Sequence, residues 1–254
     1  MAKDYYTDSF ASLKEFWERK GKTKSFEREY SIRLEGIKKL VGEIRTYARG
    51  KNVLDIGCGP GIAASLLPTD SKIIGLDFSI SMLRSAKNRI DNLVQGSAFH
   101  LPFCDCSFDA VSCLFVASDY SDKTGIFDEA HRVLREKGFF LFADYSLDDE
   151  HWKFKRTIRP LMGEECNIFI DNESLLSNYM RNSGFWVKEI RCVQFRTSFK
   201  LERYVMSKVE MNRLKTSNPD LWNDVQRCMK NMKINREFVL IIGTKQSNDR
   251  SKRV

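Results

Sequence analysis

A glycine-rich turn followed by a carboxylate gives this sequence its clearest chemistry, the binding of a nucleoside. The segment 53–61 (Val-Leu-Asp-Ile-Gly-Cys-Gly-Pro-Gly) leads an apolar run into three alternating glycines, Gly57, Gly59 and Gly61. Glycine permits a positive φ and lets backbone N–H groups approach a ligand without a Cβ in the way. Asp77 stands twenty residues after Gly57, at the end of the next predicted strand. There its two oxygens can accept from both hydroxyls of a ribose.

The residues after Asp77 suit the base of such a nucleoside. Phe78 and Met82 offer flat and polarisable apolar surface for an adenine ring. Each feature alone is weak, because a lone Gly-x-Gly occurs by chance and dinucleotide dehydrogenases also place an acid after a glycine-rich turn. The dehydrogenase fingerprint prefers Gly-x-Gly-x-x-Gly, whereas the glycines here alternate, so the spacing favours a different cofactor.

The elements around these residues predict an α/β fold. From residue 51 onward, short β-branched apolar runs alternate with amphipathic stretches, as in a parallel sheet built from strand–helix units. The predicted strands are residues 52–56, 72–76, 92–95, 108–114, 138–145, 186–195 and 237–244. The predicted helices are residues 9–20, 26–47, 62–67, 79–89, 125–136 and 172–182, and helical spacing recurs in 204–214 and 221–232. Ser79 and Asn172 stand where helix N-caps are expected.

Five motifs fall in order between residues 51 and 145. They are residues 54–61, residues 75–79 with Met82, residues 96–103 ending in Leu-Pro-Phe, residues 107–111, and residues 129–134 before Gly138. Their order and spacing resemble those of class I S-adenosylmethionine-dependent methyltransferases, particularly the small-molecule branch related to the ubiquinone and menaquinone methyltransferases. The resemblance covers about 95 residues of the chain.

The resemblance implies a Rossmann-like sheet of seven mostly parallel strands, the last one antiparallel, with helices on both faces and helical lid insertions. It also implies S-adenosylmethionine as the cofactor. The turn 57–61 would hold the methionine end, with Asp55 helping to bind the amino group, and Asp77 would bind the ribose. The implied cofactor-binding residues are Asp55, Gly57, Cys58, Gly59, Gly61, Asp77, Phe78, Met82, Ser97, Ala98, Phe99 and Leu114.

The sequence departs from the family at the turn that would bind the adenine edge, residues 97–99. Relatives usually carry an acidic residue there to accept from the adenine amino group, whereas this chain has Ser97, which is shorter and uncharged. The affinity for the cofactor is then reduced unless a backbone carbonyl serves instead. At the end of the fourth strand, Leu114 or Phe115 would line the methionine portion.

No catalytic residue is carried over from the family. Asp119, Tyr120 and Tyr145 stand at predicted strand ends, and His151 follows the fifth strand near the same edge of the sheet. Each is a candidate for orienting a nucleophile or accepting its proton, and each also fits a structural role. Transfer of an already activated methyl group needs positioning above all, which can contribute roughly 7–11 kcal/mol. The motifs therefore identify the cofactor and leave the acceptor atom open.

The composition, with 42% hydrophobic and 30% charged residues, predicts one folded domain over residues 1–254. We expect an N-terminal helical lid (1–49), a cofactor-binding core (50–145), substrate-side insertions (146–170 and 197–236) and a basic tail (245–254). The N-terminus lacks an apolar run of signal-peptide length, and the longest apolar runs are too short for a bilayer. A soluble cytoplasmic protein is expected.

The net charge of +8 favours anionic partners without identifying one. Aromatic residues in the insertions favour a small-molecule acceptor, possibly anionic. The basic and aromatic run at 152–159 keeps nucleic acid open, so that the alternatives are an RNA or protein methyltransferase and a catalytically silent cofactor-binding partner. Seven cysteines without a C-x-x-C pair predict reduced thiols and no metal site. The oligomeric state stays open.

Overall fold

The computed structural model describes residues 10–23, 26–153, 168–198 and 233–246, with isolated positions at 156, 212, 215–216, 218–220 and 222–223. The predicted helices at 204–214 and 221–232 lie largely outside these residues. So do Phe154 and Lys155 of the basic run and residues 247–254 of the tail.

Seven strands form one sheet at the centre of the described chain. They are β1 Asn52–Ile56, β2 Lys72–Asp77, β3 Asn92–Gln95, β4 Phe108–Leu114, β5 Leu134–Tyr145, β6 Phe185–Ser198 and β7 Lys233–Lys245. Their order is β3-β2-β1-β4-β5-β7-β6, and β7 runs antiparallel to both of its neighbours while the other pairs are parallel. The predicted fold, with seven strands and an antiparallel last strand, is confirmed. The strand order reverses between β1 and β4, where open parallel sheets bind their ligands.

The described residues include five helices around the sheet: α1 Phe10–Thr23, α2 Phe26–Ala48, α3 Ile80–Ala86, α4 Thr124–Val133 and α5 Glu173–Asn182. Both sheet faces are buried, since alternate residues of β5 enter two different apolar clusters. Phe140 and Phe142 pack in the cluster with α4 and α5, and Leu141 and Ala143 pack in the cluster with α2. The period of two along the strand therefore gives each face its own helical layer.

Three predicted helices are shorter than expected. The helix predicted at 79–89 ends at Ala86. The helix predicted at 62–67 is a three-residue 3-10 turn, Ala64–Leu66, because Leu67 precedes Pro68 and is extended with a ψ of 162°. The helix predicted at 125–136 ends at Val133, since Leu134 already pairs with Phe108 as the first residue of β5. The predicted N-caps are confirmed. Ser79 Oγ accepts from Met82 N, and Asn172 Oδ1 accepts from Leu175 N.

Residues 129–134 (Glu-Ala-His-Arg-Val-Leu), at the end of α4, bind the loop that follows β3. The Arg132 guanidinium donates to the carbonyls of Leu101 and Phe103 at 3.0 and 2.8 Å. Glu129 pairs with Arg132 and accepts from the Leu101 N–H at 2.6 Å. This loop begins at Gly96, directly after β3. α4 therefore holds in place the residues that lie beyond the carboxyl ends of β2 and β3.

In the part of the chain that the structure describes, we find no helix with the length and apolar character needed to span a membrane.

Candidate functional site

The turn after β1 depends on glycine at all three alternating positions. Gly57, Gly59 and Gly61 have φ values of 64°, 52° and 77°, in the region that other residues rarely adopt. A Cβ on Gly57 would lie 2.3 Å from a methyl carbon of Val116, and one on Gly61 would lie 3.2 Å from Ile90. The turn is therefore packed against the end of β4 on one side and against the residues after α3 on the other.

Asp77 ties this turn to the end of β2. Its Oδ2 accepts from the Gly59 N–H at 2.8 Å, and its Oδ1 accepts from the Ser79 N–H at 2.9 Å. The side chain is buried, which raises its pKa to about 6 against the effect of these hydrogen bonds. The two oxygens have four lone-pair positions between them, and the N–H groups of Gly59, Ser79 and Phe78 are their backbone partners. Such a carboxylate can also accept from the hydroxyls of a ribose.

Asp55 lies one strand away and is also buried. Ser112 Oγ donates to its Oδ1 at 2.7 Å. Burial raises the pKa of Asp55 to about 7, the Ser112 hydrogen bond lowers it, and the Asp77 charge raises it further. Burial also raises the pKa of Tyr30, whose hydroxyl lies over the turn, 3.1 Å from the position of a Cβ on Gly59. The site thus concentrates two carboxylates and a phenol away from water.

A cavity lies beyond the carboxyl ends of β1, β2 and β4 and under α1. The wall residues that the sequence predicted as cofactor-binding or catalytic are Gly57, Gly59, Asp77, Phe78, Met82, Ala98, Leu114, Asp119 and Tyr120. The cavity has a volume of about 50 Å3.

Other predicted cofactor residues lie next to this wall without forming it. The Cys58 side chain packs under the turn with Leu83 and Ile90, and burial raises the pKa of its thiol. Ser97 Oγ accepts from the Phe99 N–H at 3.2 Å, so this serine closes its own turn. The Phe99 ring packs edge-on against a wall residue, Tyr120, with ring centroids 4.8 Å apart.

The structure separates the catalytic candidates into two groups. Asp119 and Tyr120 form part of the cavity wall. The Tyr145 hydroxyl accepts from the Arg33 guanidinium, and its ring packs on Trp152. His151 is buried beside the same tryptophan. Neither Tyr145 nor His151 belongs to the wall.

Sequence reasoning did not place Trp17 in the site. The indole ring of Trp17 is part of the wall, and its Nε1–H donates to Asp119 Oδ2 at 2.9 Å. The two residues are 102 positions apart, so no local pattern connects them. The other wall residues without a predicted role are Pro60, Leu76, Gly96 and Val116. Phe115, which has a φ of 62°, and Tyr30 complete the wall.

Comparison with known proteins agrees with this geometry. Residues 54–142 match the family model described as a methyltransferase domain. A demethylmenaquinone methyltransferase of Thermotoga maritima is 37% identical over 106 residues, which are 40% of this chain and 46% of that protein. An uncharacterized protein of Methanocaldococcus jannaschii is 34% identical over 111 residues, 43% of each chain. The chain thus spans less than half the length of these curated relatives.

Solved structures share the fold over a longer part of the chain. The crystal structure of the YcgJ protein of Bacillus subtilis matches with a TM-score of 0.61 and 21% identity, covering 83% of this chain and 99% of that one. At this identity the match shows the fold. The family model, which spans β1 to β5, confirms the family that the motifs predicted.

Proposed function

We propose that this chain, which belongs to the class I S-adenosylmethionine-dependent methyltransferases, moves a methyl group from S-adenosylmethionine to a nucleophilic atom of a small-molecule acceptor. The observation that carries the proposal is the pairing of Gly59 N–H with the buried Asp77 carboxylate. It joins the glycine turn to a buried carboxylate at the edge of the sheet where the strand order reverses, which supports binding of a ribose there.

The residues at this edge fit the donor. When bound, S-adenosylmethionine supplies a methyl group that its sulfonium has already activated for attack by a nucleophile. Asp77 would accept from the ribose hydroxyls. Asp55, once its carboxyl group has lost its proton, would pair with the amino group of the methionine end. Met82 and Phe78, with Leu76 and Ala98, give the adenine an apolar surface at the cavity wall. The turn brings backbone close to the methionine portion because Gly57 and Gly59 carry no side chain.

The chain's own contribution to the reaction is position and exclusion of water. Trp17, Tyr30 and Phe115 surround the cavity with aromatic surface, which removes water from the path between the two reactants. Asp119, also at the wall, would orient the nucleophilic atom and accept the proton that it releases when the methyl bond forms. These groups need to hold two reactants in line, which can contribute roughly 7–11 kcal/mol.

The aromatic wall of the cavity supports a small acceptor over a polymer. A nucleic-acid substrate requires an open basic surface, and its binding weakens steeply with salt because phosphate contacts release counterions. The cavity wall instead carries two carboxylates, Asp77 and Asp119. That charge does not suit a phosphate backbone.

The test of the donor is ligand-dependent thermal unfolding of the whole chain. S-adenosylmethionine, S-adenosylhomocysteine and NAD are compared on wild type, on Asp77→Asn and on Asp70→Asn, a control at an exposed aspartate. At a hundredfold excess over the dissociation constant, a ligand of the folded state adds about 2.7 kcal/mol. For a domain of this size, the midpoint rises by roughly 2–4 °C per kcal/mol.

We expect both sulfur nucleosides to raise the midpoint of wild type and of Asp70→Asn, and to lose most of that effect in Asp77→Asn. A shift with NAD alone, or no shift of the midpoint with any of the three ligands, would overturn the proposal. Once the donor is established, a screen of metabolites with methyl-labelled S-adenosylmethionine identifies the acceptor. Label in RNA or protein with a steep salt dependence would replace the small-molecule acceptor, and binding without any transfer would indicate a silent partner.

A further inference from the structure

We infer that Lys123, at the start of α4, is a positioning residue for the cofactor: its buried ammonium group holds the turn after β4, so that Tyr120 forms the side of the cavity where adenine would lie. This inference rests on the proposed function and adds to it a residue that does not itself line the cavity. The motifs that predicted the cofactor site do not include Lys123.

Tyr120 is the wall residue that Lys123 positions. It follows the 3-10 turn 117–119 after β4, and its side chain forms part of the cavity wall. Its ring packs edge-on against Phe99, with ring centroids 4.8 Å apart. Phe99 belongs to the turn predicted to bind the adenine edge, where Ser97 stands in place of the acidic residue of the family. Because serine carries no charge, adenine binding here depends more on the apolar surface that these rings provide.

The Lys123 ammonium group is buried behind this wall. Its Nζ donates to the Tyr120 carbonyl at 3.0 Å and lies 2.6 Å from Asp171 Oδ2, and the side chain is 1% exposed. Lysine is almost never fully buried unless it is paired, and a cation at a helix N-terminus meets the positive end of the helix dipole. Lys123 is the N-cap of α4, so this position goes against both tendencies. Such a conflict indicates a requirement other than helix formation.

The backbone of the turn is held from two further directions. The Ser118 N–H donates to Asp144 Oδ2 at 2.8 Å, and the Ser118 carbonyl accepts from the Phe169 N–H at 2.9 Å. Burial raises the pKa of Asp144 to about 6, while its hydrogen bonds and the charge of Lys123 lower it. The end of β5, the segment before α5 and the start of α4 therefore all bind this one turn.

The start of α4 also contacts the second ring. A Cβ on Gly125 would lie 2.8 Å from Cδ1 of Phe99, so the helix backbone packs directly on that ring. Residues two positions apart on α4 thus contact the Tyr120 backbone and the Phe99 side chain. An apolar pair in place of a buried ion pair is often equally stable, so stability alone does not account for Lys123 and Asp171. The hydrogen bond from Lys123 fixes the direction of the Tyr120 carbonyl, which an apolar side chain cannot do.

The experiment measures the affinity of the whole chain for S-adenosylhomocysteine by isothermal titration calorimetry. Lys123→Met removes the ammonium group and keeps an unbranched side chain. The double variant, Lys123→Met with Asp171→Asn, also removes the carboxylate that the first change leaves without its counter-charge. Lys38→Met is the control, because Lys38 is exposed on α2 and does not line the cavity. Urea unfolding without ligand measures the stability of each variant, and binding is measured where all of them are folded.

We expect Lys123→Met to weaken binding about tenfold, as for the loss of one hydrogen bond from a charged group. The double variant should regain part of the lost stability, because Asp171 is no longer an ion without a counter-charge. It should still bind as weakly as Lys123→Met, since the Tyr120 carbonyl has no donor in either protein. Lys38→Met should match wild type. Unchanged affinity in Lys123→Met, or affinity that recovers together with stability in the double variant, would overturn the inference.

The Trp17 indole provides a second readout, which needs no ligand. Its Nε1–H donates to Asp119 Oδ2 at 2.9 Å, next to Tyr120 in the chain, so its resonance reports the position of the turn. In protein labelled with 15N at tryptophan, the indole resonance that Trp17→Phe removes should shift in Lys123→Met and stay in place in Lys38→Met. An unmoved resonance would contradict displacement of the turn, even with weaker binding. Failure of the proposed function looks different, since wild type itself would then bind neither S-adenosylmethionine nor S-adenosylhomocysteine.

Discussion

Val116 occupies the space that any side chain on Gly57 would need. A Cβ on Gly57 would lie 2.3 Å from Cγ2 of Val116, closer than carbon atoms approach in folded proteins. Val116 itself lines the cavity, just past the end of β4. The turn after β1 and the segment after β4 therefore close on each other only because residue 57 has no side chain.

Gly57→Ala should destabilise the protein by more than its backbone angle alone explains. Gly50 provides the matched control, since its φ of 65° equals that of Gly57 within a degree but nothing lies within 4 Å of a Cβ there. Gly50→Ala should cost about 1 kcal/mol in the free energy of unfolding, from backbone strain. Gly57→Ala should cost a further 1–3 kcal/mol or so from overpacking. Urea unfolding of both variants measures the difference.

A second substitution tests whether the contact with Val116 causes the loss of stability in Gly57→Ala. Adding Val116→Ala to Gly57→Ala should restore part of the lost stability, whereas adding it to Gly50→Ala should only destabilise further. Equal losses in Gly57→Ala and Gly50→Ala would contradict the account of the turn given above.

Much of this fold follows from local sequence, as β1, β3 and β4 illustrate. Each begins and ends where its apolar run predicts. Charged residues and glycines bound two of them, Lys51 and Gly57 for β1 and Asp91 and Gly96 for β3. β5 is different. Its first residue, Leu134, reads as the last turn of a helix, and only its pairing with Phe108 makes it a strand. Tertiary contacts decided that boundary against the local pattern.

The candidate site likewise combines residues that local sequence predicts with contacts that only the fold brings together. The motifs place Gly57 and Asp77, since a turn and a strand end are local features. They say nothing of Trp17, whose spacing on α1 is that of an ordinary apolar helix residue and whose partner is 102 positions away. They also leave the direction of Cys58 open, which points into the packing under α3. Contacts between distant elements need the assembled fold.

The buried Asp55 carboxyl predicts a pH dependence of stability. Its pKa is about 7 in the folded chain, mainly through burial, against an ordinary value of 3.8. Below pH 4 the group is protonated in both states and its contribution to stability is fully present. As the pH rises towards 7 the unfolded chain releases this proton first, so the free energy of unfolding falls, by a few kcal/mol at most.

Urea unfolding of ligand-free protein at several pH values between 4.5 and 8 measures this effect as the difference between wild type and Asp55→Asn. Wild type should lose stability relative to Asp55→Asn up to about pH 7 and run parallel above it. Ser112→Ala removes a hydrogen bond that lowers the pKa of Asp55, so the fall should extend to higher pH. A difference that rises with pH would mean that Asp55 is ionised more readily in the folded chain than in the unfolded one.

Arg132→Met should loosen the loop after β3 and destabilise the fold by about 1–3 kcal/mol. The guanidinium holds two carbonyls of that loop, and Met leaves both of them and Glu129 without this donor. Arg181→Met on α5 is the control, since the exposed Arg181 makes one long hydrogen bond, to Asn178 at 3.3 Å. Its effect should stay within about 0.5 kcal/mol. Similar losses of stability for the two variants in thermal unfolding would show that Arg132 does not stabilise the loop after β3.

The buried pair of Arg236 and Asp149 gives the largest predicted loss of stability. Arg236 Nε donates to Asp149 Oδ2 at 2.7 Å, and the side chains are 1% and 0% exposed. Asp149 also accepts from the Trp152 N–H, so the pair fixes the chain that leaves β5. Arg236→Met leaves a buried carboxylate without its counter-charge, which should cost about 3–5 kcal/mol.

Removing both charges tests whether the loss comes from that stranded carboxylate. Arg236→Met with Asp149→Asn should be more stable than Arg236→Met alone, because an amide is cheaper to bury than an ion and still accepts from Trp152. Lys153→Met, which breaks the exposed pair with Asp148, should cost less than about 1 kcal/mol. If the double variant were less stable than Arg236→Met by the full cost of Asp149→Asn, the two residues would act independently. The interior would then owe its stability at this point to the packing of Arg236 on Phe195 and Phe238, rather than to charge.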